Sequence, residues 1–134
     1  MRKIFDKEEF LKNSKTIYNQ KEQLEKAADE ANSKNPENII FIGIGGTFGE
    51  FESIAHVVRK YTSLPIYVEE AAEFCVKEYK PYFSEKSLIV TASVTGSTSE
   101  VVEALKLCRE KGCFITAFTP NKESEIAKYS SSHV

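Results

Sequence analysis

A chain of 134 residues is long enough for one domain with a real core and short for a complete two-layered enzyme. Its 41% hydrophobic and 28% charged residues are ordinary for a globular protein. A formal net charge of −2 offers no basic footprint, so neither nucleic acid nor an anionic membrane is expected as a partner. No apolar run approaches the ~20 residues of a membrane span.

The N-terminus, Met1 to Glu9, has one basic pair and no apolar h-region, so no signal peptide is expected. Cys75, Cys108 and Cys113 are odd in number and form no CxxC pair, which suits reduced thiols in a cytoplasm. Each reads as a small buried hydrophobe rather than a nucleophile.

Residues 6 to 33 read as helix. Phe10, Ile17, Leu24 and Ala31 recur at heptad spacing, and Asn13-Ser14 is a candidate cap that would divide the segment in two. This N-terminal segment, residues 1–35, is expected to dock on its own domain or to form a dimer contact. Asn35-Pro36-Glu37-Asn38 is a turn, and Ile39 to Ile42 is a continuous apolar strand that runs into Gly43-Ile44-Gly45-Gly46-Thr47. A helix carrying Phe51, Ile54, Ala55, Val57, Val58 and Tyr61 follows, with His56 read as structural or surface. Ile66-Tyr67-Val68 is a second strand, and the helical segment after Glu69-Glu70 is expected to end at Pro81. Leu88 to Ala92 is the third strand. A helix from about Ser97 to Lys111 closes at Gly112. Phe114 to Phe118 is the fourth strand, and a short helix spans about Glu123 to Tyr129. Ser132-His133-Val134 stands where a fifth, truncated strand would begin.

Strands alternating with helices of this length predict an α/β fold, a flavodoxin-like doubly wound parallel sheet with strand order 2-1-3-4 and helices on both faces. In that order the turns after strands one and three meet across a crevice at the strands' carboxyl ends, where ligands bind. The third-strand turn is Ser93-Val94-Thr95-Gly96-Ser97-Thr98-Ser99-Glu100. A hydroxyl-rich turn that opens a helix presents unpaired N–H groups and the positive end of the helix dipole, a ready phosphate site. Simple capping by Ser97 or Thr98, with Glu100 completing a capping box from Ser97, would use one hydroxyl and not account for Ser93, Thr95, Thr98 and Ser99 together. The chain has no Gly-Lys-Ser/Thr, which excludes a Walker-type loop. The first loop invites a dinucleotide reading, with Glu69 and Glu70 near the usual ribose position, but Phe48 occupies the place of the third glycine.

Gly45-Gly46-Thr47, Glu69-Glu70-Ala71-Ala72-Glu73-Phe74 and Ser93 to Glu100 together resemble the sugar isomerase (SIS) domain. The likeness covers about residues 36–134 and is to the first such domain of glucosamine-6-phosphate synthase and especially of the fructosamine-6-phosphate (fructoselysine-6-phosphate) deglycases. Ser99 to Leu107 and Ala117-Phe118-Thr119 add to the deglycase likeness. The resemblance implies that Thr47, Ser93, Val94 through its backbone, Thr95 and Thr98 hold a sugar phosphate, with Gly45, Gly46 and Gly96 shaping the cradle and Glu73 on the sugar side. Val94 stands where many members have a polar residue, and Ser97 where many have Glu. The family's catalytic Glu and His are expected in a second domain, and Glu73-Phe74-Cys75-Val76-Lys77 lacks the histidine. The implied protein is therefore the phosphate-binding portion of a longer isomerase or deglycase, or a truncated copy. It would be cytoplasmic and homodimeric, with no cofactor and no metal. A non-catalytic sugar-phosphate sensor and a nucleotide-binding Rossmann domain are the alternatives.

Overall fold

Five parallel strands in the order β2-β1-β3-β4-β5 form the centre of the structure, a computed structural model that describes residues 5–134. The basic pair Arg2-Lys3 lies outside the described residues. The strands are β1 (Asn38–Gly43), β2 (Ile66–Glu70), β3 (Ser87–Ala92), β4 (Phe114–Phe118) and β5 (Ser132–His133). The helices are α1 (Lys7–Asn19), α2 (Lys21–Asn32), α3 (Gly46–Val58), α4 (Ala71–Val76), α5 (Ser99–Lys111) and α6 (Glu125–Tyr129). The expected strand order is thus present, extended by a two-residue β5 on β4.

Alternation along the strands sorts the helices onto two faces. Ile40, Ile42, Ile89, Ile115 and Ala117 pack with Ala71 and Phe74 of α4, with Val101, Leu105 and Cys108 of α5, and with Ile126 of α6. Phe41 and Ile66 turn the other way, onto Phe51 and Ala55 of α3. The helices that follow β1 and β3 therefore lie on opposite faces, which opens the crevice between their turns. Buried Thr91 ties the two strands beneath that crevice, donating from Oγ1 to the Ile42 carbonyl at 2.8 Å.

Four local expectations change. The N-terminal segment breaks at Gln20, not at Asn13-Ser14: Ser14 Oγ donates back to Phe10 O within a continuous α1, and Asp6 caps the start by accepting from Glu8 and Glu9 N–H. None of the described α1 residues is buried, whereas α2 sinks Ala27 and Ala31 onto the sheet. On α3 the buried stripe is Phe51 and Ala55, while Ile54 and Val57, and Tyr61 in the turn beyond it, are exposed. Finally, α4 stops at Val76, well before Pro81, because the Lys80 ammonium folds back onto the carbonyls of Phe74 and Lys77 and satisfies the helix end.

Candidate phosphate-binding crevice

The β1 turn reaches α3 through Gly45, the N-cap, whose φ of +56° explains why a residue without Cβ stands there. Gly45 has no side chain to cap the helix, so the first N–H groups of α3 face outward. Thr47 follows on the first turn, half-buried.

The β3 turn is held from behind. Ser93 N–H donates to Phe118 O at 3.0 Å, and Gly96 O accepts the N–H of Ile126 at 3.1 Å. Ser93 Oγ is the hub of the loop. It accepts the Gly96 N–H at 3.0 Å and lies 3.4 Å from Thr95 Oγ1 and 3.3 Å from Thr98 Oγ1. Thr95 Oγ1 in turn accepts the Ser97 N–H at 3.4 Å. Val94 and Thr95 are exposed at the tip. Of the two expected caps, Thr98 is the N-cap of α5, and its hydroxyl makes no capping bond to the helix, pointing to Ser93 instead. Glu100 takes the Ser99 hydroxyl at 2.9 Å. Its own backbone N–H, then that hydroxyl, holds its carboxyl below the usual range.

Thr47, Ser93 and Val94 line one open cavity of about 460 Å³, so the two turns share a crevice as their topology requires. Thr95, Gly96, Thr98, Gly45 and Gly46 belong to the same two turns but do not line this cavity. Glu73 does not line this cavity. It sits exposed on α4, donating its backbone N–H to the Glu70 carboxylate at 3.0 Å, and no hydrogen bond among the described residues engages its own carboxylate. Glu69 and Glu70 are committed within the chain. Glu69 accepts from Lys77 Nζ at 3.3 Å and from the Tyr82 hydroxyl, and Glu70 caps α4.

The same cavity recruits Thr119 and Pro120 after β4, Glu50 of α3, Gln20, and Ile17 and Leu24 from the N-terminal helices. Sequence reasoning did not place these in the site. Thr119 had a signal, since it follows β4 at the end of the sheet where the crevice lies. Ile17 and Leu24 had none, because a heptad stripe looks the same whether it faces a core, a partner or a cavity wall. Among the described residues no cluster of three or more His, Cys, Asp or Glu has metal-binding geometry, and no helix is long and apolar enough to cross a membrane.

Two turns that open helices and carry neutral hydroxyls, facing across a β1/β3 switch point, define a doubly wound α/β domain. The SIS domain pattern matches residues 33–134, and the chain belongs to that family. It is similar to fructoselysine 6-phosphate deglycase of Escherichia coli (strain K12), with 27% identity over 99 residues, covering 73% of this chain and 28% of that protein. It is also similar to the glutamine–fructose-6-phosphate aminotransferase (isomerizing) of Pyrococcus horikoshii, 26% identical over 112 residues, covering 84% of this chain and 18% of that one. The fold matches the C-terminal domain of glucosamine-fructose-6-phosphate aminotransferase from Francisella tularensis with a TM-score of 0.71, at 21% identity over 81% of this chain and 30% of that chain. The chain thus spans less than a third of the length of each of these relatives.

Proposed function

We propose that this chain is the phosphosugar-binding domain of a sugar-phosphate isomerase or deglycase of the fructosamine-6-phosphate deglycase kind. Thr47, Ser93, Thr95 and Thr98, with backbone N–H groups of Gly45, Gly46 and Val94, hold the substrate phosphate, and Gly96 shapes the turn that presents them. Glu73, with its carboxylate unengaged, is the sugar-side residue. The observation that carries the proposal is the Thr98 hydroxyl, which leaves its helix uncapped and joins Ser93 at the crevice. A residue needed only as a cap would bond the N–H two or three places on.

In the whole protein, a bound phosphorylated ketosamine or aldose opens and a proton moves between neighbouring carbons, with hydrolytic loss of the amine in a deglycase. That chemistry needs a carboxylate base and a proton donor near the reacting carbons. The role of this chain is to fix the phosphate so that the reacting carbons are positioned. It uses neither metal nor cofactor. The protein is cytoplasmic and homodimeric in this reading, and the exposed Phe10, Leu11 and Tyr18 of α1 support a contact with a second copy.

A second reading, a sugar-phosphate sensor without turnover, suits the isolated chain, which brings no histidine to the crevice. His56 is exposed on α3 and His133 lies on β5, and neither lines the crevice. A dinucleotide site is less well supported, because the carboxylates of Glu69 and Glu70 already have partners. Thermal-shift measurements with fructose 6-phosphate, glucosamine 6-phosphate and NAD test the ligand class. Stabilisation by a sugar phosphate is expected, and stabilisation by NAD alone overturns the proposal.

A further inference from the structure

At the far end of α5 from the crevice, Gly112 adopts the left-handed conformation with φ +90° and donates to Arg109 O at 3.0 Å. Cys113 N–H donates to Cys108 O, also at 3.0 Å. These two bonds are a Schellman motif, which brings together the side chains three residues before and two after the cap. Here both are cysteines, and both are buried. The bond from the Cys113 N–H sets the two cysteines beside each other at the helix end, and a disulfide needs Cα atoms within roughly 4.4–6.8 Å.

The two thiols differ. The neighbouring Cys113, then burial, pushes the Cys108 thiol up. The neighbouring Cys108, with help from Lys111 against the cost of burial, holds Cys113 below the usual thiol value. As a thiol, Cys113 donates to Ser84 O at 3.1 Å. It also lines an open cavity of about 450 Å³ with Lys34, Arg109 and Glu85. Cys108 is fully buried.

We propose that Cys108 and Cys113 are an oxidisable dithiol, with Cys113 the thiol that meets a hydroperoxide in this cavity and Cys108 the one that resolves it. The Cys113 thiolate attacks the near peroxide oxygen and the O–O bond breaks. Cys113 becomes a sulfenic acid, and the departing hydroxide takes a proton to form water. The Cys108 sulfur then attacks the Cys113 sulfur, its proton passing to the leaving hydroxide as a second water. Two thiols lose two electrons and hydrogen peroxide gains them, leaving a Cys108–Cys113 disulfide that a thiol reductant reopens. The site is independent of the phosphosugar reading.

The test uses the full reduced chain, exposed under native conditions to stoichiometric hydrogen peroxide, alkylated and digested with trypsin. Cleavage after Arg109 and Lys111 separates the cysteines, so a linked peptide pair reports their disulfide. The expected result is the loss of two hydrogens from the intact mass and loss of alkylation at Cys108 and Cys113 together, both restored by dithiothreitol. Cys75→Ser oxidises like the parent, and Cys108→Ser leaves a Cys113 sulfenic acid that dimedone traps. The proposal is overturned if native protein keeps both thiols alkylatable, if the link involves Cys75, or if linkage appears only after unfolding in urea.

Discussion

Gly96 is packed directly on Ser124: a Cβ added to Gly96 would stand 2.3 Å from Ser124 Cβ and 2.4 Å from its Oγ. The hydroxyl-rich turn is therefore not a free loop. It rests on the cap of α6, where Ser124 Oγ accepts the Ala127 N–H at 3.4 Å. Gly96 also has φ +67°, a conformation that costs other residues about 1–3 kcal/mol.

Gly96→Ala combines that strain with a clash against Ser124 Cβ, an atom fixed to the backbone that no rotamer change can move away. Overpacking typically adds about 1–3 kcal/mol, so a loss of at least about 2 kcal/mol is expected in urea unfolding. Sugar-phosphate binding should fall with it, since Ser93 and Thr98 are positioned through the same turn. Unchanged stability would show that the turn is not seated on α6.

Thr98→Val separates cap from ligand. The hydroxyl does not bond its own helix, so unfolding stability should stay within about 0.5 kcal/mol of the parent. Loss of one donor to a phosphate should weaken sugar-phosphate binding about tenfold, near 1.4 kcal/mol, by calorimetry. The opposite pattern, about 1 kcal/mol of lost stability with binding intact, would make Thr98 a helix cap and nothing more.

Thr91→Val removes the 2.8 Å bond between buried Thr91 Oγ1 and Ile42 O, directly below both turns. Replacing hydroxyl by methyl leaves the carbonyl without that donor, at about 1–2 kcal/mol. A thermal melt measures the stability cost. A matching loss of ligand affinity would show that the register of β1 and β3 sets the spacing of the crevice.

What was readable beforehand follows from what is periodic. The apolar runs Ile39 to Ile42 and Leu88 to Ala92, with helical spacing between, specify buried parallel strands and so the 2-1-3-4 order. The cleft position then follows from topology, and Gly45 and Gly112 mark caps that need φ > 0. Long-range side-chain choices were not legible. The break at Gln20 carries no turn signal, and the early end of α4 depends on Lys80 reaching back over the helix. The Ile17 and Leu24 contribution to the cavity depends on how α1 and α2 dock. The Thr98 hydroxyl goes to Ser93 rather than to its own helix, a bond across five residues that no capping pattern encodes.

The Tyr82, Glu69 and Lys77 cluster predicts an alkaline limb in stability. Burial, and then the bond to Glu69, raises the Tyr82 phenol above its ordinary 10.0, and the bond to Tyr82 likewise raises Lys77. Below pH 10 the folded and unfolded chains both hold the phenolic proton, and the contribution is fully present. Above it the unfolded chain releases its proton first, so stability falls as pH rises toward the folded value. Tyr82→Phe should flatten this decline in urea titrations at increasing pH. A decline as steep as the parent's would assign it to other groups.

Glu73 offers the sharpest test of which groups read the sugar rather than the phosphate. Its carboxylate has no partner among the described residues, unlike Glu69 and Glu70, and Glu73→Gln keeps the backbone N–H that Glu70 accepts. Stability should therefore be unchanged. A carboxylate that accepts a sugar hydroxyl contributes about 1.5–3 kcal/mol, so affinity for glucosamine 6-phosphate should fall at least about tenfold. Binding of inorganic phosphate, held only by the two turns, should not weaken. Equal affinities of parent and variant for glucosamine 6-phosphate would remove Glu73 from the site, while leaving the phosphate cradle standing.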